Sequence, residues 1–173
     1  MNRVIGAVTA GALLALVLTT PAQAASGTTP PGDGWTRVPT PPFDTAPGAR
    51  CEFGVHGEAI VDEVYWKTIS TKPDGTPRTV AAWGPLIEHV TNVETGASID
   101  LDSGGHGSHT MYDDGSHLYR SHGPILVGIG EGSLDRGLYI IDGPSWRIEQ
   151  RPDGYRRIAG HFRVTVDICD ALS

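Results

Sequence analysis

Four turns written in similar letters cut the second two-thirds of this chain into short runs: Pro73-Asp74-Gly75-Thr76, Glu94-Thr95-Gly96, Asp113-Asp114-Gly115-Ser116 and Pro152-Asp153-Gly154. Proline presets φ and glycine accepts positive φ, so each cluster reverses the chain within a few residues. The runs between them alternate with period two and are rich in Val, Ile, Tyr, Trp and Thr; none has a helical period of useful length. Such a chain is all-β, and links this short join antiparallel neighbours. We expect an antiparallel meander of eight or nine strands forming a small closed or partly open barrel, with a β-sandwich as the alternative.

The expected strands cover residues 58–71, 78–93, 97–102, 108–112, 117–121, 125–129, 138–141, 146–150 and 155–168. Gly84-Pro85 interrupts the second and marks a bulge or a bend. The oiliest part runs from Gly123 to Gly143 and reads as the central hairpin. Ile125, Val127 and Ile129 share one face and should meet the core. Leu126, Gly128 and Gly130 share the other, where the glycines permit tight coiling or close backbone approach. Leu138 and Ile140 point one way, Tyr139 and Ile141 the other, and both sets are apolar. A strand greasy on both faces needs cover on both. We expect the Pro-rich leader, the C-terminal tail or a second subunit to supply it, with self-association through residues 123–143 if it does not.

The N-terminus carries the marks of export. Asn2 and Arg3 make a polar, positive start, residues 4–18 are apolar, and Ala22-Gln23-Ala24 is a small-residue cleavage motif. The apolar run is shorter than the roughly 18–20 residues that span a bilayer. We therefore expect residues 1–24 to be a signal peptide, with no transmembrane segment in the mature chain and a secreted, extracellular location. Cleavage after Ala24 removes 24 of 173 residues and leaves 149, enough for one domain. Residues 25–50 read as a Pro/Gly-rich leader on which Trp35 and Phe43 either dock or hang free, and residues 51–173 as a single β-domain.

Cys51 and Cys169 are the only cysteines, and export places them where they pair. The bridge would close most of the domain into a loop, worth ~2–5 kcal/mol, and tie the first strand to the last. Thirteen basic residues against 20 acidic ones give a net charge of −7. Arg147, Arg151, Arg156 and Arg157 flank a turn, with Glu149 and Asp153 between them. Nucleic acid is thus not an expected partner.

Several motifs tempt a chemical reading. His106, His109, His117 and His122 lie on one hairpin. A two-residue loop at Asp114-Gly115 would pair Tyr112 with His117, His109 with Arg120 and Gly107 with His122. His106 and His117 would then share one face, His109 and His122 the other. Zinc needs three or four converging ligands, so no metal or other cofactor is expected. Asp102-Ser103-Gly104-Gly105 resembles the nucleophile segment of trypsin-like proteases, but Leu101 and His106 replace that family's Gly and Pro. Asp100 and Asp102 imitate a calcium loop without its bidentate Glu, since Met111 stands at the twelfth place. The loop of residues 131–137 offers Arg136 for an acidic ligand group, with Glu131 or Asp135 beside it. A turn centred on Asp74-Gly75 would set Trp66 opposite Trp83, a pair suited to a sugar or small-molecule pocket or simply to core packing. For acid–base chemistry the candidates are Glu58, Glu88, His89 and Tyr65. Glu88 and His89 discriminate: inward and paired favours an enzyme, outward favours binding.

The segments Cys51-Glu52-Phe53, Pro73-Asp74-Gly75-Thr76-Pro77-Arg78, Thr91-Asn92-Val93-Glu94-Thr95-Gly96 and Gly123 to Gly143 together resemble small secreted actinobacterial β-rich proteins of unassigned function. That resemblance implies a secreted β-domain and brings no catalytic residues with it. The barrel also resembles calycin and allene-oxide-cyclase-like barrels at the level of fold, where function does not travel. The expected role is a secreted, non-enzymatic binding or surface-interaction protein whose partner is a small molecule, glycan or protein. The alternative is a small barrel isomerase or hydrolase with an acid or base inside.

Overall fold

The computed structural model describes residues 32–173. The expected signal peptide and the start of the leader lie outside the described residues. The elements are β1 (Thr36–Arg37), β2 (Phe43–Thr45), β3 (Val55–Asp62), β4 (Tyr65–Thr71), β5 (Pro77–Trp83), β6 (Leu86–Asn92), β7 (Ser98–Asp102), β8 (His106–Met111), β9 (His117–His122), β10 (Ile125–Ile129), β11 (Gly137–Gln150), β12 (Arg156–Asp167) and the helical turn α1 (Ile168–Ala171). They build two antiparallel sheets. The large one has the order β1-β4-β5-β8-β9-β11-β10, with β12 also on β11; the small one is β2-β3-β6-β7. The chain is all-β, and it does not close into a barrel.

Corners explain why. Two of the long runs expected as single strands bend midway and continue in the other sheet. Residues 58–71 divide into β3 and β4, and Gly84-Pro85 separates β5 from β6. The bends lie side by side in one seam: Glu63 N donates to Pro85 O (2.9 Å), Ser103 N to Leu86 O (3.0 Å), Gly105 N to Pro124 O (2.7 Å) and Gly123 N to Gly143 O (3.0 Å). Strands that turn a corner this way make sheets that pack across each other. Gly84 is required there: its φ is +134°, and a Cβ would stand 1.9 Å from Glu63 O. At the same seam β9 and β10 form one bent strand against β11, which bends at Gly143-Pro144.

Turn chemistry corrects the expected registers. At Lys72 and Tyr112 the loop holds three residues, not two, and the Arg151 turn holds three as well. Lys72 N donates to Thr76 O and Gly75 N to Lys72 O, and the same pattern recurs at Tyr112–Ser116 and Arg151–Tyr155. Only the glycine of each loop has positive φ. This is a type I turn closed by a left-handed glycine, with the Asp carboxylate of Asp74, Asp114 or Asp153 accepting the amide two residues on. One extra residue slips the first two hairpins by one from the expected register and turns their side chains to the other face. Trp83 therefore faces Tyr65, and Trp66 faces Ala82. The expected tryptophan pair is not formed.

Two cores result. Val55, Val90 and Leu101 of the small sheet meet Leu138 and Ile140 of β11, together with Ile168 and Leu172 of the C-terminal tail. The Cys51–Cys169 bridge, spanning 118 residues, is formed inside this cluster. It joins the approach to β3 with α1, so it does not tie neighbouring barrel strands as expected. On the other face of β11, Tyr139 and Ile141 pack with Val127, Ile129, Trp146, Ile148 and Ile158. Tyr139 and Ile141 are buried within the chain. The bent hairpin covers its own second face, so neither leader nor second subunit is needed there. The leader does contribute elsewhere: β1 adds an edge to the large sheet and β2 to the small one. Phe43 lies over Gly57, where a Cβ would meet its ring at 2.3 Å.

Candidate functional site

Bending the hairpin of β9, β10 and β11 brings its tip back over the large sheet. Arg156 N donates to Glu131 O (2.9 Å) and Ser133 N to Arg156 O (3.0 Å), so the tip is latched to the start of β12 by one parallel bridge. Ile158 N adds a bond to the Ser133 hydroxyl (2.9 Å). Inside this curl lies a pocket of about 240 Å³. Ile125, Val127 and Ile148 form its apolar part, and His109, Tyr119, Ser121 and Arg156 bring polar groups.

Register decides which side chains meet there. His109 pairs with Tyr119 and Met111 with His117, so His109, His117 and Tyr119 share the concave face. The expected grouping of His106 with His117 is overturned by the one-residue slip; His106 stacks on His122 instead, rings 5.2 Å apart. The His109 and Tyr119 rings are 4.2 Å apart and nearly parallel. Between His109 Nε2 and His117 Nδ1 the distance is 2.8 Å, so one ring donates while the other accepts. Burial first, and the neighbouring His117 second, hold His109 below the ordinary imidazole value. His109 is thus held toward its neutral form, with His117 as its hydrogen-bond partner. Burial raises the Tyr119 phenol, with the Arg156 charge opposing it.

The acid–base candidates lie elsewhere. Glu88 points inward from β6, where the Ser103 hydroxyl donates to its Oε2 at 2.6 Å. Burial raises its pKa, the Ser103 bond opposes that, and Asp62 adds to it. His89 points the other way and meets Asp100 (2.6 Å) opposite exposed Glu58. Glu88 is inward but its partner is a serine, and His89 is outward. Tyr65 and Trp83 have ring centroids 6.3 Å apart, away from the pocket, and Trp66 stands 43% exposed beside β1. Arg136 reaches back to Gly48 O (3.0 Å).

Among the described residues, no three His, Cys, Asp or Glu side chains are grouped to hold a metal ion. No described helix is long and apolar enough to cross a membrane. Sequence reasoning passed over His109 with Tyr119, Arg50 and Arg156. The signal for the first was indirect: Pro73 and Pro152 sit where a type I turn takes its proline, which implies three-residue loops in their own hairpins, and Asp113-Asp114-Gly115 repeats their Asp-Gly ending. No family model, curated protein or solved structure matches this chain.

Proposed function

We propose that this chain is an exported, non-enzymatic binding protein that takes a small, partly apolar molecule in the curl of its large sheet. One observation carries the reading. The stacked His109 and Tyr119 rings line the same pocket as the Ile125, Val127 and Ile148 side chains. Flat aromatic surface, an apolar wall and a few hydrogen-bonding edges are what a sugar ring or a small aromatic compound needs. The volume sits just below the usual range of about 300–1,000 Å³, which favours a compact ligand. Export is supported by the formed Cys51–Cys169 bridge together with the signal-like N-terminus.

The test is calorimetry with neutral monosaccharides and small neutral aromatics on the full chain and on Ala82→Trp. Ala82 lines the pocket on β5. Saturable binding to the parent chain and none to the variant supports the reading; equal binding to both, or none to either, overturns it. The alternative, a small acid–base isomerase or hydrolase, draws its support from the His109–His117 pair rather than from Glu58, Glu88, His89 or Tyr65. Turnover that follows the His109 titration and disappears in His109→Gln would favour it over binding.

A further inference from the structure

Half of the described arginines in this acidic chain find a carboxylate. Arg78 meets Asp113, Arg147 and Arg157 meet Glu149, Arg151 meets Asp153 and Arg163 meets Asp142, all within 3.5 Å. Arg50, Arg136 and Arg156 do not, although they gather in one place. All three line an open depression of about 570 Å³ beside the latched hairpin tip. Among the described residues none of them has a carboxylate oxygen within ion-pair distance; their acceptors are neutral. Arg50 donates to Ala49 O (2.7 Å), Arg136 to Gly48 O (3.0 Å), and Arg156 to Gly128 O (2.6 Å) and Gln150 Oε1 (2.9 Å).

The arrangement is built into the strand beneath it. Arg50 lies along the bare backbone of β10 and its continuation. A Cβ at Gly128 would come 3.0 Å from Arg50 Nε, and one at Gly130 would come 2.9 Å from Nη1. Those glycines therefore make room for a guanidinium. Each guanidinium carries five N–H donors, and the bonds above use only one or two of them. Two acidic residues share the rim. Asp153 is engaged by Arg151 at 3.1 Å, while Glu131 forms no ion pair among the described residues.

Three like charges held together raise one another's energy, and arginine cannot relieve this by losing its proton. Burial chiefly disfavours the cationic form of Arg156, Tyr119 opposes this, and the Arg50 charge adds to it. A counter-charge from outside removes the repulsion and meets the free donors. With Glu131 set against the three guanidiniums, a dianion balances the depression best. We propose that Arg50, Arg136 and Arg156 form a binding site for a dianionic oxyanion, a phosphate or sulfate group, either free or carried by a small ligand. The site is independent of the pocket reading, although Arg156 borders both cavities.

Inorganic phosphate and sulfate, titrated calorimetrically into the full chain against chloride at equal ionic strength, provide the test. Saturable binding of either over chloride is expected. Arg136→Gln, on an exposed loop, should weaken it roughly tenfold, the scale of one lost charge-assisted hydrogen bond. Arg50→Gln should act similarly, and Arg147→Gln, outside the depression, should change nothing. A sugar phosphomonoester that binds more tightly than phosphate identifies a ligand-borne group; equal binding identifies the free ion. Binding no better than chloride, or equal losses in Arg136→Gln and Arg147→Gln, overturns the proposal. Ala82→Trp leaves the anion titration intact, so failure of the neutral pocket and failure of this site are separable.

Discussion

Strand β11 divides the molecule into two apolar sides that are filled in different ways. On one side Leu138 and Ile140 are sealed by the small sheet, the disulfide and the C-terminal tail. Buried Asn92 there is well partnered: it donates to Leu172 O (2.9 Å) and accepts from the Glu94 and Thr95 amides. On the other side Tyr139 and Ile141 continue into a curl that leaves a cavity and brings an imidazole, a phenol and a guanidinium to its border. Interiors pack to crystal density where stability is the only demand, and under the proposed binding reading the lined void makes the second side the working one.

The largest effect should come from the sealed side. Replacing Cys51 and Cys169 together by Ser should cost about 2–5 kcal/mol in denaturant unfolding, because the bridge closes a long loop. Ile140→Ala, at a residue 4% exposed, should cost a similar or slightly smaller amount, about 2–4 kcal/mol. Neither should alter ligand affinity while the chain stays folded. If either abolishes binding in the folded protein, the two sides are coupled and the contrast is wrong.

A smaller change should act on the working side. Gly107 lets β8 approach β9 so closely that a Cβ would stand 1.9 Å from Arg120 O. Gly107→Ala should therefore part the strands at the pocket wall, costing about 1–3 kcal/mol and weakening neutral-ligand binding in the same titration. Unchanged affinity would remove this wall from the site.

The subtlest contrast is in pH dependence, with opposite signs on the two sides. Glu88 in the folded chain lies above its ordinary 4.5, so the native state holds the proton longer than the unfolded one. Its contribution is full below about pH 4.5 and is lost as pH rises through the raised value. Glu88→Gln should flatten that loss in stability curves taken across mildly acidic to neutral pH. His109 lies below its ordinary 6.5, so its contribution is full above that pH and falls as pH drops through the lowered value. His109→Phe should remove the acid-side loss without touching the Glu88 limb. A single shared limb in both variants would mean that neither group titrates as its surroundings demand.

Much of the architecture was legible in the residues. The turn clusters, the alternation and the bridge partners could be read because each depends on a few neighbouring residues or on a compartment. Gly84-Pro85 was recognisable as a bend, yet nothing local announced that it lies beside Gly123-Pro124 and Gly143-Pro144 in a single seam. The site was far less visible. His109 was in view, but an error of one residue in loop length paired it with Arg120 in place of Tyr119.

The sequence by itself determined an all-β chain with antiparallel neighbours, a hairpin apolar on both faces, and a cystine. Turn chemistry and period two act over a handful of residues, so they survive without knowledge of the rest. Tertiary structure alone decided that long strands turn corners between two sheets, that β11 is covered on both sides by its own chain, and that three arginines from distant segments converge. Burial of both faces of β11 favours bending over closure, because an open barrel wall would leave one of those faces in water. The bend that hides Tyr139 and Ile141 also brings Arg156 to the hairpin tip, where Arg50 and Arg136 already stand.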